Sequence, residues 1–359
     1  MPTPSTISTR KLGKSGRDIP TLGLGLMGLS IAYGPVPPDE ERLALLDHAW
    51  SLGYTNWDTS DAYGDSEDLI GKWLSLHPER REDIFLASKF GFAGGEVDEK
   101  TGQWTIKIDS SAQYARQALG RSLKRLGVDS LDLWYVHRVD GVTPVERTVE
   151  VMKMAKEEGK IKAVGLSSVT SRTLLRASAI CPIDAVQVEY SPWSVEIEGE
   201  AGTNLLRTCR DLGVTVFAYS PLGRGFLTGR YASPDDFSPD DLRRGVPRFS
   251  EEHFAANLRV VEKLREMAYQ KEQSSERKKV TPAQIALAWL RKQGEDVIPI
   301  PGTKSIKYIE ENLGSLQVEL TDIEEEEVRR LVDDVGVVGA KANVVMASLD
   351  ELRDTPLAS

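Results

Sequence analysis

Residues 131–168 read LDLWYVHRVDGVTPVERTVEVMKMAKEEGKIKAVGLSS. The first part, LDLWYV, is a nearly continuous apolar run that stops at His137. Residues 143–159 then carry a helical pattern, and KAVGL follows as a second apolar run that stops at Ser167. Two buried runs joined by a helix form a strand–helix–strand unit, and unbroken apolar runs are expected of parallel strands covered on both faces. The same unit recurs on either side. YTNW stops at Asp58, IFLAS at Lys89, AVQVEY at Ser191, VTVFA at Tyr219 and VIPIPG at Thr303, while TLGLG (21–25) supplies a first strand. Eight such units closing in a circle predict a (β/α)8 TIM barrel. Its chemistry then lies at the C-terminal ends of the strands, where these polar residues stand.

Around the repeat, residues 9–20 predict an N-terminal β-hairpin turning at Lys14-Ser15-Gly16. Helices are expected over 39–53, 66–77 (with Ser66 as N-cap), 110–127 (stopping at Gly127), 171–180 and 203–213. An insertion rich in Gly, Arg, Asp and Pro spans about 222–252, followed by a long helix over about 253–273. SIKYIEENLGS closes the repeat, and DIEEEEVRRLVDDV predicts an extra C-terminal helix whose EEEE stretch (324–327) reads as a solvated face. No Gly/Ser linker divides the chain. A single domain is expected over 1–359, with a core at about 9–335 and a tail at 336–359 lying over a barrel end.

The 359 residues are 40% hydrophobic and carry a net charge of −10 at pH 7. That balance argues against nucleic acid as a partner. No stretch approaches the ~20 apolar residues of a membrane span. The first residues lack the apolar core of a secretory signal, so a cytoplasmic location is expected. Cys181 and Cys209 lack metal-type spacing and read as reduced, buried thiols; no metal site is expected.

Gly23-Leu24-Gly25-Leu26-Met27-Gly28 fits G-x-G-x-x-G. A dinucleotide fingerprint needs a helix opening there, and SIAYGPVPP, with its prolines, cannot start one. The glycines read instead as a first-strand loop that lets a ligand approach the backbone.

Asp58, Tyr63, Lys89 and His137 fall together at neighbouring strand ends. A free tyrosine, with a pKa of about 10, is a poor acid near neutrality. A nearby cation favours the phenolate and lowers that value. Lys89 is the candidate cation, Asp58 its counter-charge, and His137 a donor to a substrate oxygen. The four have the parts needed to protonate a carbonyl oxygen.

WDTSDAYG, ASKFG, LDLWYVHRVD, VGLSS, VQVEYSPW, AYSPLGRG and IPIPGTKSIKYIEENLGS together resemble the aldo-keto reductases, over about residues 9–335. GLMGLS, AYGP, HRVD and PRF are similar to the branch with pyridoxal reductases and perakine reductase. The resemblance implies a catalytic tetrad of Asp58, Tyr63, Lys89 and His137, with Tyr63 as general acid. It implies NADPH bound at the barrel mouth and a small carbonyl substrate reduced to an alcohol. Ser167, Ser168 and Gln187 match the positions that hold the carboxamide, with Ser168 standing where many members have Asn. Tyr219 matches the ring that stacks on the nicotinamide, and Gly25, Leu26 and Met27 line the same site.

Ser220, Pro221, Leu222, Gly223, Arg224 and Gly225 would run along the pyrophosphate, with backbone N–H groups and the Arg224 charge facing the anion. Gly302, Thr303 and Lys304 follow the eighth strand, where barrel phosphate sites are commonly built. Lys304 is thereby placed for the adenosine 2′-phosphate. Tyr308 stands where many relatives have arginine, and Glu311 and Asn312 match residues that grip adenine. Tyr33, Trp104 and Trp193 are candidates for substrate-pocket walls. Two other readings stay open: an NADPH-sensing regulatory subunit like the potassium-channel β-subunits, and a lyase or isomerase with Lys89 as Schiff base. The oligomeric state, monomer or homo-oligomer, is undecided.

Overall fold

The computed structural model describes residues 7–14, 16–97, 104–274, 279–342 and 352–358. The chain enters through the predicted hairpin, strands β1 (Thr9–Lys11) and β2 (Asp18–Pro20), paired antiparallel with Arg10 opposite Ile19. Ser15 of its turn lies outside the described residues. Leu12 and Ile19 pack on Phe85, Leu133, Tyr135, Phe217 and Ile298, so the hairpin plugs the lower end of the barrel. Arg10 fixes the plug by donating to the carbonyls of Val297 (2.5 Å), Gly294 (2.7 Å) and Arg291 (3.0 Å).

The barrel strands follow: β3 (Leu24–Gly25), β4 (Asn56–Asp58) and β5 (Phe85–Phe90). A hairpin outside the barrel, β6 (Phe92–Val97) and β7 (Trp104–Ile108), intervenes. Then come β8 (Leu133–Val136), β9 (Val164–Ser167), β10 (Ala185–Glu189), β11 (Thr215–Tyr219) and β12 (Val297–Pro299). The eight pair in parallel from β3 to β12 in chain order, skipping only the outer hairpin. Closure is made by glycine. Gly23 N–H donates to Pro299 O (2.9 Å), Gly25 N–H donates to Pro301 O (3.2 Å), and Gly25 bridges Gly302 in parallel. A Cβ on Gly25 would lie 2.8 Å from Ile300 O, and one on Gly302 would lie 2.7 Å from Gly25 O. The first demand on the glycine motif is therefore closure of the barrel, not only approach of a ligand. A single helical turn, α1 (Met27–Ser30), does open inside the motif, contrary to expectation, but it ends at Ile31.

Side-chain alternation sorts each strand into an outward and an inward face. Outward strand residues such as Trp57 and Trp134 meet helix residues such as Trp73 and Trp289 in the shell between strands and helices. Inward residues stack in layers, with Phe85, Ala87, Leu133, Tyr135 and Phe217 in the buried interior. Lys89, two residues beyond Ala87 on the same face, stands above them.

The covering helices are α2 (Asp39–Ser51), α3 (Ser66–Leu76), α4 (Ala112–Leu126), α5 (Val145–Glu157), α6 (Ser171–Ile180), α7 (Leu205–Leu212), α8 (Glu251–Ser274), α9 (Pro282–Lys292), α10 (Ile306–Gly314) and α11 (Asp322–Val335). Helix α4 stops as expected at Gly127, whose φ of 65° suits glycine. Ser66 is not an N-cap: it is the first helical residue, and its hydroxyl pairs with that of Thr59 at 2.7 Å. Nor is 324–327 a purely solvated face. Glu324 closes a capping box with Thr321 and pairs with Lys271, while Glu325 pairs with Arg329. Part of the tail lies at the C-terminal end of β9: Arg353 N–H donates to Ser168 O (3.1 Å), and Thr170 N–H donates to Arg353 O (3.2 Å).

Candidate active site

The strand ends surround a cavity of about 1220 Å3 at the C-terminal mouth. At its floor, Lys89 is fully buried and donates to Asp58 Oδ1 (2.5 Å), Thr59 O (2.8 Å) and Tyr63 Oη (3.3 Å). Asp58 Oδ2 accepts from Gln187 Nε2 at 2.8 Å. His137 Nε2 lies 3.5 Å from Tyr63 Oη, and its Nδ1 lies 3.0 Å from Ser60 Oγ. The His137 ring meets Tyr63 and Phe92 edge to face, at centroid distances of 5.5 and 4.5 Å. The four residues expected to act together thus occupy one hydrogen-bonded cluster.

Charge in this cluster follows from burial and neighbours. Burial alone would lower the Lys89 pKa, but Asp58 and Tyr63 outweigh it and hold the ammonium charged. For Tyr63 the balance is the reverse of the sequence expectation. Burial raises the phenol above its ordinary value, more than the Lys89 charge lowers it, and Asp58 adds to the rise. Tyr63 therefore keeps its proton, the state required of a proton donor. His137 is pushed well below the usual histidine range by burial and by Lys89 and Arg138, so its imidazole is neutral.

Gly25, Leu26, Met27, Ser167, Tyr219, Ser220, Pro221, Leu222, Arg224 and Gly225 line the cavity, as do Gly302, Thr303, Lys304, Tyr308, Glu311 and Asn312. Ser168 and Gly223 do not. Ser168 is buried behind the lining at φ 50°, and its hydroxyl makes no hydrogen bond among the described residues. Gly223 backs onto Trp193, where a Cβ would meet the indole at 2.6 Å. Trp193 is accordingly not a cavity wall. It is buried beneath the turn after β11, stacked on Phe226 at 5.0 Å. Tyr33 does line the cavity, with Arg243 over its ring at 5.0 Å. Trp104 opens β7, but its side chain lies outside what is described.

Two cations behave differently from expectation. Arg224 faces Glu189 at 3.9 Å, so a buried carboxylate already meets much of its charge. Lys304 donates to the carbonyls of Tyr33 (2.7 Å), Gly34 (3.2 Å) and Pro35 (2.9 Å), tying the loop after α1 across the cavity. The insertion meets the same loop through Leu242 N–H, which donates to Ala32 O at 3.0 Å. Arg230 and Arg243, both from the insertion, line the cavity and were missed, as were Ser60, Asp61, Phe92 and Ile106. The strand-end position that exposed Lys89 has no counterpart in loops, so only WDTSDAYG carried a signal for Ser60 and Asp61. No cluster of metal-ligating type occurs among the described residues.

A closed parallel barrel with an acid–base cluster at its mouth defines a class of enzymes, and comparison specifies it. The aldo/keto reductase family profile matches residues 21–333. An aldo-keto reductase of Schizosaccharomyces pombe, yakc [NADP(+)], is 45% identical over 338 residues, covering 94% of each chain. Aldo-keto reductase str7 of Strobilurus tenacellus is 44% identical over 355 residues, 98% of each. Among solved structures, the thermostable aldo-keto reductase Tm1743 in complex with the inhibitor epalrestat superposes with a TM-score of 0.69 at 29% identity, covering 90% of this chain and all of that one. Glycerol dehydrogenase AKR11B4 from Gluconobacter oxydans shares the fold, with a TM-score of 0.76 at 23% identity over 98% of this chain and 99% of that one. The chain belongs to the aldo/keto reductase family.

Proposed function

We propose that the protein reduces an aldehyde or ketone to the alcohol with NADPH, and that Tyr63 donates the proton. The observation that carries this reading is the protonated Tyr63 phenol held between Lys89 Nζ at 3.3 Å and His137 Nε2 at 3.5 Å. NADP(+) in the name of the 45% identical relative supports the cofactor. The cavity fits that group in kind. Its lining combines the half-buried Tyr219 ring with the glycine-rich 220–225 turn and the cations Arg230 and Lys304. Ser167 and Gln187 at one end, and Thr303, Lys304, Tyr308, Glu311 and Asn312 at the other, are the residues that would hold it.

NADPH, when bound, supplies the hydride for the carbonyl carbon. The protein does the rest. The carbonyl oxygen is received between Tyr63 and His137, both of which can donate to it. Tyr63 passes its proton to that oxygen as negative charge develops there, and Lys89 meets the resulting phenolate. Asp58, held by Gln187, keeps Lys89 in place. Phe92, Ile106, Met27 and Ile31 give the cavity apolar surface beside this cluster and favour aromatic or other apolar aldehydes. We place the activity in the cytoplasm, in a chain acting as one barrel domain.

The test is turnover against a carbonyl panel, with NADPH consumption as readout. Tyr63→Phe should lower kcat by about 10²–10⁴ while NADPH binding persists. Near-normal turnover by that variant would overturn the role of Tyr63. Tight NADPH binding by the wild type with no multiple turnover on any carbonyl would favour a regulatory binding subunit instead.

A further inference from the structure

Beyond the four clustered residues, a carboxylate that they do not use lines the same cavity. Asp61 lies between the strand end at Asp58 and Tyr63. Its Oδ1 is 3.4 Å from Ser60 Oγ, and that hydroxyl is 3.0 Å from His137 Nδ1. His137 Nε2 in turn faces Tyr63 Oη. Ser60 is fully buried, and Ala62 N–H donates to its oxygen at 3.2 Å. Its single hydrogen thus has Nδ1 and the Asp61 carboxylate as side-chain acceptors.

We infer that Asp61 is a proton reservoir for the site, passing a proton through the Ser60 hydroxyl and the His137 ring to Tyr63. The inference rests on the proposed role of Tyr63 as proton donor, because donation leaves a phenolate to be reloaded. The transfer balances as three coupled steps. Asp61 O–H gives its proton to Ser60 Oγ, Ser60 gives its own to His137 Nδ1, and His137 Nε2–H gives its proton to the Tyr63 phenolate. Three bonds to hydrogen break and three form. The negative charge moves from Tyr63 to Asp61, and His137 stays neutral but changes tautomer.

A reservoir must hold its proton near working pH. Asp61 does so: burial and the neighbouring Glu67 carboxylate push its pKa up to about 7, against Arg121, the Ser60 hydrogen bond and Arg125. The groups facing it are Glu67 on α3 and Arg121, Arg125 and Tyr114 on α4. Those facing His137 are Lys89, Arg138 and Tyr63. Both cations disfavour the imidazolium, so the ring passes a proton on rather than storing it.

The two ends of the relay differ in which His137 nitrogen carries hydrogen, and ¹⁵N NMR reads that directly on the cofactor-free protein. The chain has four histidines, and the spectrum of His137→Gln assigns the signal. Between pH 5.5 and 8.5 the wild type should pass from the Nε2–H to the Nδ1–H form with a midpoint near neutrality. Asp61→Asn and Ser60→Ala should each hold one mixture throughout. In carbonyl reduction, Asp61→Asn should lose about tenfold in kcat, less than removal of the donor itself, and should flatten the pH profile across this range. A tautomer that does not change in the wild type, or that changes identically in Asp61→Asn, would overturn the relay. Failure of the reductase reading would show separately, as absent turnover with the tautomer exchange intact.

Discussion

The Gln187 side-chain amide donates to Asp58 Oδ2 at 2.8 Å, while Lys89 takes the other carboxylate oxygen at 2.5 Å. Asp58 is 3% exposed, so both donors meet a carboxylate that has little contact with solvent. Gln187→Leu leaves one buried oxygen without its partner and should cost about 1–3 kcal/mol in urea unfolding. Turnover should fall with it, because the floor of the site loosens. Unchanged stability would mean that this amide is not needed to hold Asp58.

Lys89 and Asp58 form an ion pair with side-chain exposures of 0% and 4%. Removing one partner strands the other. Lys89→Met should therefore destabilise by about 3–5 kcal/mol, and the Lys89→Met, Asp58→Leu double variant should recover much of that loss. Both should be inactive in carbonyl reduction. A double variant no more stable than Lys89→Met would show that the penalty comes from packing rather than from an unpaired charge.

The raised pKa of Asp61 has a signature in stability. The folded value is about 7 against an ordinary 3.8, so the native state binds more protons than the unfolded state between those values. Stability then falls as pH rises from about 4 to about 7, and the loss is complete above that window. Asp61→Asn has no such proton to lose, so it should gain on the wild type at pH 8 and not at pH 4. Glu67 is also raised by burial and slopes the same way; it is present in both proteins, so only its repulsion with Asp61 enters the difference. An equal gain at both pH values would place the effect elsewhere.

Lys304 holds three carbonyls of the 33–35 loop in the structure. Lys304→Ala should loosen that loop, read as faster amide exchange over residues 32–36. If the ammonium also serves the 2′-phosphate, the variant should weaken NADPH much more than NADH. Equal weakening of both would leave Lys304 as a loop tie alone.

The strands were legible because each is an apolar run long enough to be buried on both faces, and the polar residues that stop those runs pointed to Asp58 and Lys89, whereas Gln187, inside its run, was marked only by the family resemblance. The hairpin over 9–20 and the helix stop at Gly127 were legible from local turn chemistry. What escaped were contacts between segments with no periodicity. Trp193 reads as a loop residue, yet Gly223 and Phe226 close over it. Lys304 reads as a free charge, yet the carbonyls that take it are 269 to 271 positions away. The Tyr63 pKa is not legible for a different reason: a neighbouring cation can be inferred from spacing, whereas the depth of burial that outweighs it cannot.

The hairpin plug and the aromatic layer of Phe85, Tyr135 and Phe217 lie beneath Lys89 and leave the ammonium no path downward to bulk solvent. Among the described residues, the barrel is in this sense a blind well that opens at its mouth. Everything the reaction consumes or releases, protons included, passes the same rim. A bulky molecule seated in the cavity mouth would then slow isotope exchange at Lys89 and Tyr63 together, even without touching either one.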